Sequence, residues 1–353
     1  MTLSLILKKL IASHHQNLPF VCFNKPNTTK LKAYFEKNTL LKHTDSFKEE
    51  GFVFAPFHDQ NPSIVFLKET SEVIEELYVR NVITASNHKF KEQISDKKSH
   101  ISLILAGIDA IKSNSFKKVV LSRKELITLT SFDVLLVFEK LLQKYDNAFV
   151  YIWFHPKVGL WMGATPERLV TLKIGEFHTT ALASTQNYEG DLDPIWGDKE
   201  KKEHQFVVDY IISQIKDQQN GIILKNFSVS DTYTIKAGSL LHLKADIKGE
   251  IDGFELKSLL STLHPTPAVC GLPKEAAKSF ILANENYDRR YYTGFLGEIN
   301  VDSETELFVN LRCVEIDGAI ANIYVGGGIT EESKPEKEWL ETCQKTNTIK
   351  SVL

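Results

Sequence analysis

Apolar and polar residues follow two rhythms along this chain. In the middle, FVYIWFH (149–155), GLWMG (159–163), RLVTLKI (168–174) and EFHTTALA (176–183) are short β-branched and aromatic runs, parted only by brief turns. Turns this short predict antiparallel neighbours. YTGFLGEINV, ELFVNLRCVEI and AIANIYVGGG predict a second meander near the C-terminus. GFVFAPF (51–57), SIVFLK (63–68), KKVVLSRKELI (117–127) and LHLKADIKGEI (241–251) read as further strands. The other rhythm is helical. It predicts helices over 99–113, 131–145, 199–217, 253–263 and 274–286, and an N-terminal amphipathic helix with Leu3, Ile6, Leu10 and Ile11 inward.

Strands in meanders with helices in separate insertions give an α+β class: large antiparallel sheets in a sandwich flanked by helices. Strict βαβ alternation is absent. Residues 1–95 are mixed and weakly patterned, an N-terminal portion of the fold, and 96–353 carry the stronger signals. NYEGDLDPIWGD (187–198) is rich in turn formers and reads as a flap.

Composition narrows the function. The chain has 353 residues, 42% hydrophobic and 25% charged, with a net charge of −3. That is an ordinary globular balance with no basic face for nucleic acid. No apolar run is long enough to cross a membrane, and Lys8 and Lys9 break the N-terminal run that a signal peptide would need. Cys22, Cys270, Cys313 and Cys343 are scattered, which suggests neither a zinc site nor a disulfide framework and fits a cytoplasmic protein.

The chemistry concentrates in YVGGGITEESKPEKEWLETCQKT (324–346). Ser333 and Glu336 have capping-box spacing and Pro335 falls in the first turn, so a helix starts near 334. Glu338, Glu341 and Lys345 then share one face. Gly326, Gly327 and Gly328 leave backbone amides open to an anion such as a carboxylate. Carboxylates beside an anion site need a cation between them, and Mg²⁺ is the hard divalent choice. Glu203, in KEHQFVVDYI, stands one turn before Phe206 and Val207 on the core-facing side of its helix. A carboxylate there needs a partner.

Eight segments in order resemble the chorismate-binding enzymes: KVVLSR (118–123), GATPERLV (163–170), TTALASTQ (179–186), KEHQFVVDYI (202–211), LHPTPAVCGLPKEAA (263–277), YYTGFLGEI (291–299), VNLRCVEI (309–316) and YVGGGITEESKPEKEWLE (324–341). The resemblance implies a sandwich of two antiparallel sheets with the site in a deep cleft. It further implies that Lys118 is the base that activates water, since ammonia-using anthranilate synthases carry Gln there. Ala183 replaces the nucleophilic lysine of aminodeoxychorismate synthases, which disfavours covalent amination. Glu167 is then the acid that protonates a leaving hydroxyl. To serve, Lys118 must lose its proton below a reference pKa of about 10.4, and Glu167 must keep one above about 4.3.

The implied reaction is conversion of chorismate to isochorismate, with Mg²⁺ held by Glu203 and Glu341 and Glu338 nearby. Arg312, Lys345 and the three glycines would bind the enolpyruvyl carboxylate, and Ala183, Thr185 and His264 would also line the substrate. A salicylate synthase, which goes on to eliminate pyruvate, and an inactive metabolite-binding protein are the alternatives. No amidotransferase subunit is expected, and a monomer is. Menaquinone and siderophore routes both begin with isochorismate. One departure stands out: Ser184 occupies a position that is usually glycine in the family.

Overall fold

The protein is described by a computed structural model covering residues 4–79, 94–217, 223–237, 240–252 and 255–353. A nine-stranded sheet runs in the order Gly271–Leu272, Lys118–Thr128, Ile320–Ile329, Cys313–Asp317, Gly159–Thr165, Phe149–His155, Phe20–Asn24, Lys30–Phe35 and Glu72–Leu77. The second sheet follows Ile223–Val229, Leu240–Asp252, Glu176–Asn187, Arg168–Lys173, Glu304–Val309, Phe295–Val301, Gly51–Ala55, Ser63–Leu67 and His43–Thr44, with Tyr233–Ala237 also paired to Leu240–Asp252. Every pairing among the described residues is antiparallel. The first 77 residues donate strands to both sheets, so the N-terminal portion is woven into the sandwich.

Strand FVYIWFH shows why the sheets stack. Phe149, Tyr151 and Trp153 point to the inter-sheet layer, where they meet Phe52, Phe54 and Phe308 of the facing sheet. Val150, Ile152 and Phe154 point the other way, onto helices Leu5–His15 and Val134–Lys144. A strand buried on both faces loses its polar alternation and reads as an unbroken apolar run. The inter-sheet layer is largely aromatic: Phe149 stacks on Phe308 at 4.4 Å and Phe66 on Trp153 at 5.4 Å. Helices Asp198–Lys216 and Leu256–Leu263 cover the outer face of the second sheet through Val207, Ile211, Leu259 and Leu263.

Local expectations shift in four places. In the first helix Ile6 and Leu10 are buried as expected, Leu7 joins them, Ile11 is half-buried, and Leu3 lies outside the described residues. The helix expected from 253 runs Leu256–Leu263, its expected start falling on residues not described. The acidic helix is Pro335–Lys350, and Ser333 does not cap it. Lys334 is the N-cap, held extended by the proline that follows, and Ser333 Oγ instead accepts from the Thr330 amide at 3.1 Å. Within 187–198, Trp196 is buried against Leu241 and Leu243 and donates to Thr234 Oγ1 at 3.0 Å, which pins that segment to the sheet.

Trp153 is fully buried and ringed by aromatics from both sheets. Trp153→Ala is therefore expected to cost about 3–5 kcal/mol of unfolding free energy, read from urea denaturation.

Candidate active site

Two crossovers create the site. The chain leaves the first sheet at Thr165, turns through Pro166 and Glu167, and enters the second at Arg168. It returns from Val309 through Asn310, Leu311 and Arg312 to Cys313. The crossovers are bonded together: the Val309 amide donates to Glu167 O at 2.9 Å and Thr165 Oγ1 donates to Val309 O at 2.6 Å. Where strands cross, the sheets part, and a cleft opens.

That cleft collects Lys118, Glu167, Ala183, Thr185, Glu203, Arg312, Gly326, Gly327, Gly328, Glu341 and Lys345. Lys118 is only 1% exposed, and its Nζ lies 2.9 Å from Glu203 Oε1. Burial works against the Glu203 carboxylate, but Lys118, Lys199 and Lys345 outweigh it and hold its pKa below the usual range. The glycine strand explains how this pair fits. A Cβ at Gly328 would collide with the Glu203 carboxylate and come within 3.1 Å of Lys118 Cε. On the acidic helix, Glu341 pairs with Lys345 at 2.6 Å, and Lys345 Nζ also donates to Gly326 O at 3.1 Å.

Glu167 is buried, and that burial raises its pKa to about 7 despite the opposing charges of Lys118, Arg312 and Lys345. It is thus a carboxylic acid that keeps its proton near neutral pH. Arg312 has a left-handed backbone, φ 49°. Its guanidinium faces the cleft and makes no hydrogen bond or ion pair among the described residues. A half-buried fork of donors without a partner among the described residues is suited to a carboxylate.

Two expected residues lie elsewhere. His264 does not line the cleft; its Nε2 sits 2.8 Å from Thr293 O, its ring packs edge-on to Phe295, and it borders a neighbouring cavity. It stands one layer behind Thr293, which is the residue that reaches the cleft. Glu338 is 2% exposed and turns to Lys199, with Oε1 2.7 Å from Nζ. Burial and the charge of Glu341 raise its pKa against the pull of Lys199.

Other site residues escaped the sequence reading. His242 lines the cleft with Nδ1 2.8 Å from Ser184 O, and its Nε2 is buried without a partner among the described residues. Burial and then Arg312 push its pKa down to about 3, so the ring is neutral and can offer a hydrogen-bond acceptor. Its signal was a lone polar residue between Leu241 and Leu243. Ser184 has φ 62°, a conformation in which glycine is unstrained, and its hydroxyl donates to Glu200 O at 2.6 Å. The serine ties the strand to the helix that carries Glu203.

Glu203, Glu338 and Glu341 are all hard oxygen donors, which fits a divalent cation such as Mg²⁺ in chemistry. Each is now occupied by a lysine, and no three acidic, histidine or cysteine side chains among the described residues are gathered as a ready metal cage.

The family profile described as "Chorismate binding enzyme" matches residues 54–353. This chain belongs to the chorismate-binding enzymes. The match begins within the segment whose own patterning was weak. "Salicylate biosynthesis isochorismate synthase" of Pseudomonas aeruginosa is 29% identical over 257 residues, 70% of this chain and 53% of that protein. "Isochorismate synthase EntC" of Escherichia coli is 25% identical over 319 residues, 84% and 79% of the two chains. The chain spans about half to three fifths of the length of the first curated relatives it matches. The fold is that of the menaquinone-specific isochorismate synthase MenF from Escherichia coli, with a TM-score of 0.79 at 19% identity over 95% of this chain and 88% of that one. Two stacked antiparallel sheets with a cleft at their crossovers are thus the architecture of a chorismate-binding enzyme.

Gly328→Ala is expected to lower turnover roughly 100-fold, because the new methyl displaces Glu203 and the Lys118 amine it orients; steady-state kinetics checks this. Glu167 predicts a pH effect on stability. With its folded pKa at about 7 and a reference of 4.5, the folded state keeps a proton that the unfolded state loses across that interval. Stability present below pH 4.5 is therefore lost as pH rises to 7, by on the order of 3 kcal/mol. Glu167→Gln should flatten that part of the profile in denaturant titrations.

Proposed function

We propose that the chain is an isochorismate synthase, converting chorismate to isochorismate. The observation that carries the reading is one cleft holding a buried lysine amine, a carboxylic acid with a pKa of about 7 and a guanidinium without a partner among the described residues. The names of the Pseudomonas aeruginosa and Escherichia coli relatives support it.

Lys118 takes a proton from a water molecule as the water oxygen bonds to C2 of the ring. The ring double bonds shift, the bond from C4 to its hydroxyl breaks, and Glu167 gives its proton to the departing oxygen. One water enters and one leaves, so the product is an isomer of the substrate. Lys118 and Glu167 then exchange the proton through solvent to restore the starting state. Arg312, Lys345 and the Gly326–Gly328 backbone fix the enolpyruvyl carboxylate, and neutral His242 offers an acceptor to a ring hydroxyl. Mg²⁺ would be held by Glu203 and Glu341, with Glu338 behind them, and would supply positive charge beside the ring carboxylate. No amidotransferase subunit enters this chemistry.

Incubation of the purified protein with chorismate and Mg²⁺, with products resolved by chromatography, tests the reading. Isochorismate alone is expected. Salicylate with pyruvate would make it a salicylate synthase, and bound but unaltered chorismate would overturn the catalytic reading. Lys118→Ala should lower kcat at least about 100-fold while chorismate binding, followed by calorimetry, changes little.

A further inference from the structure

Three carboxylates and three ammonium groups meet where the Asp198–Lys216 and Pro335–Lys350 helices face each other. Lys118 holds Glu203, Lys199 holds Glu338 and Lys345 holds Glu341, at 2.9, 2.7 and 2.6 Å. Their formal charges cancel. A divalent cation entering a neutral, largely buried cluster must displace a positive charge already there, because two cations cannot share the same oxygens without strong repulsion.

The three lysines are not equally free to leave. The Lys118 side chain is 1% exposed, and Lys345 is 14% exposed with a second anchor at Gly326 O. Lys199 is 29% exposed and, among the described residues, bonds to Glu338 alone. It also sits at the second position of its helix, where the dipole opposes a cation. Lys199, Lys202 and Glu203 together line an outer cavity beside Thr330 and Glu332, so the ammonium has space into which it can swing. Glu203 walls both this cavity and the catalytic cleft. Lys199 also feels the charge of all three carboxylates: although burial opposes it, Glu338, Glu203 and Glu341 raise its pKa.

We propose that Lys199 is a built-in counter-cation: it neutralises the carboxylate cluster in the metal-free protein and swings out when a divalent cation binds. The role rests on the reading of Glu203 and Glu341 as metal ligands. It gives the site a two-step charge logic. The cluster is neutral when empty, so the lysines offset the repulsion among the carboxylates. Exchange of the singly charged ammonium for a divalent metal then raises the charge of the site by one unit, which favours an anionic substrate.

Mg²⁺ binding to the intact protein and to Lys199→Met, measured by calorimetry, tests the exchange. The variant should bind Mg²⁺ about tenfold tighter, since no ammonium has to be expelled. Its melting temperature should be lowered without metal and largely restored by Mg²⁺. In the wild-type protein, amine labelling by an acetylating reagent, read by mass spectrometry, should rise severalfold at Lys199 on adding Mg²⁺ while Lys216 stays constant. This second readout holds even where the variant does not fold. Equal affinity in the two proteins, or weaker binding in the variant, or labelling at Lys199 indifferent to Mg²⁺, overturns the exchange while leaving the metal ligands in place. Absence of Mg²⁺ binding in wild type overturns both the exchange and the metal reading.

Discussion

The site depends on pairing buried carboxylates with buried ammonium groups inside a sandwich that is otherwise apolar. Glu338 is 2% exposed and Lys118 1%, so neither charge would be tolerated alone. Two helices supply the acids, the glycine strand supplies the room, and the lysines supply the balance. The pairing fixes where Lys118 Nζ stands relative to the cleft, and so where a base can act. Burial prevails at Glu167 over the charges of Lys118, Arg312 and Lys345, and the acid keeps its proton. Glu203 and Glu167 thus shift in opposite directions, because lysine charge prevails at the first and burial at the second.

The sheets hold this arrangement by being rigid where they stack and open where the chain crosses between them. The aromatic layer of Phe149, Trp153, Phe54 and Phe308 locks the sheets face to face. The crossovers at 165–168 and 309–313 prevent closure at one end and put Glu167 and Arg312 at the gap. Both crossovers are themselves bonded through Val309, so the acid and the guanidinium are positioned by one backbone unit. The groups proposed to act in catalysis therefore come from strand ends and helix starts on a stiff frame, which suits chemistry that demands fixed distances.

Much of the fold was legible because both faces of the central strands are buried, which leaves long apolar runs separated by short turns. The meanders, the Asp198–Lys216 helix and the acidic helix follow from that patterning. The start of the acidic helix did not: spacing favoured Ser333 as its cap, but Pro335 held Lys334 extended and made it the cap instead. For the site, motif order brought Lys118, Glu167, Glu203, Arg312 and Glu341 to attention, and all of them share one cleft. His264 was misplaced because a histidine before proline carries no sign of which side of a wall its ring will take. His242 and Lys199 were passed over because a single polar residue in a strand, or a lysine in a charged helix start, looks the same whether it faces solvent or a site.

By itself the sequence determined the element types, the antiparallel layout and the residues able to do acid, base and anion-binding chemistry, since these follow from periodicity and side-chain identity along a local stretch. Only the tertiary structure decided which carboxylate keeps its proton, which lysine neutralises which acid, and that Glu338 turns from the cleft to Lys199. Those outcomes depend on burial and on distances between residues far apart in the chain, and the local pattern contains neither.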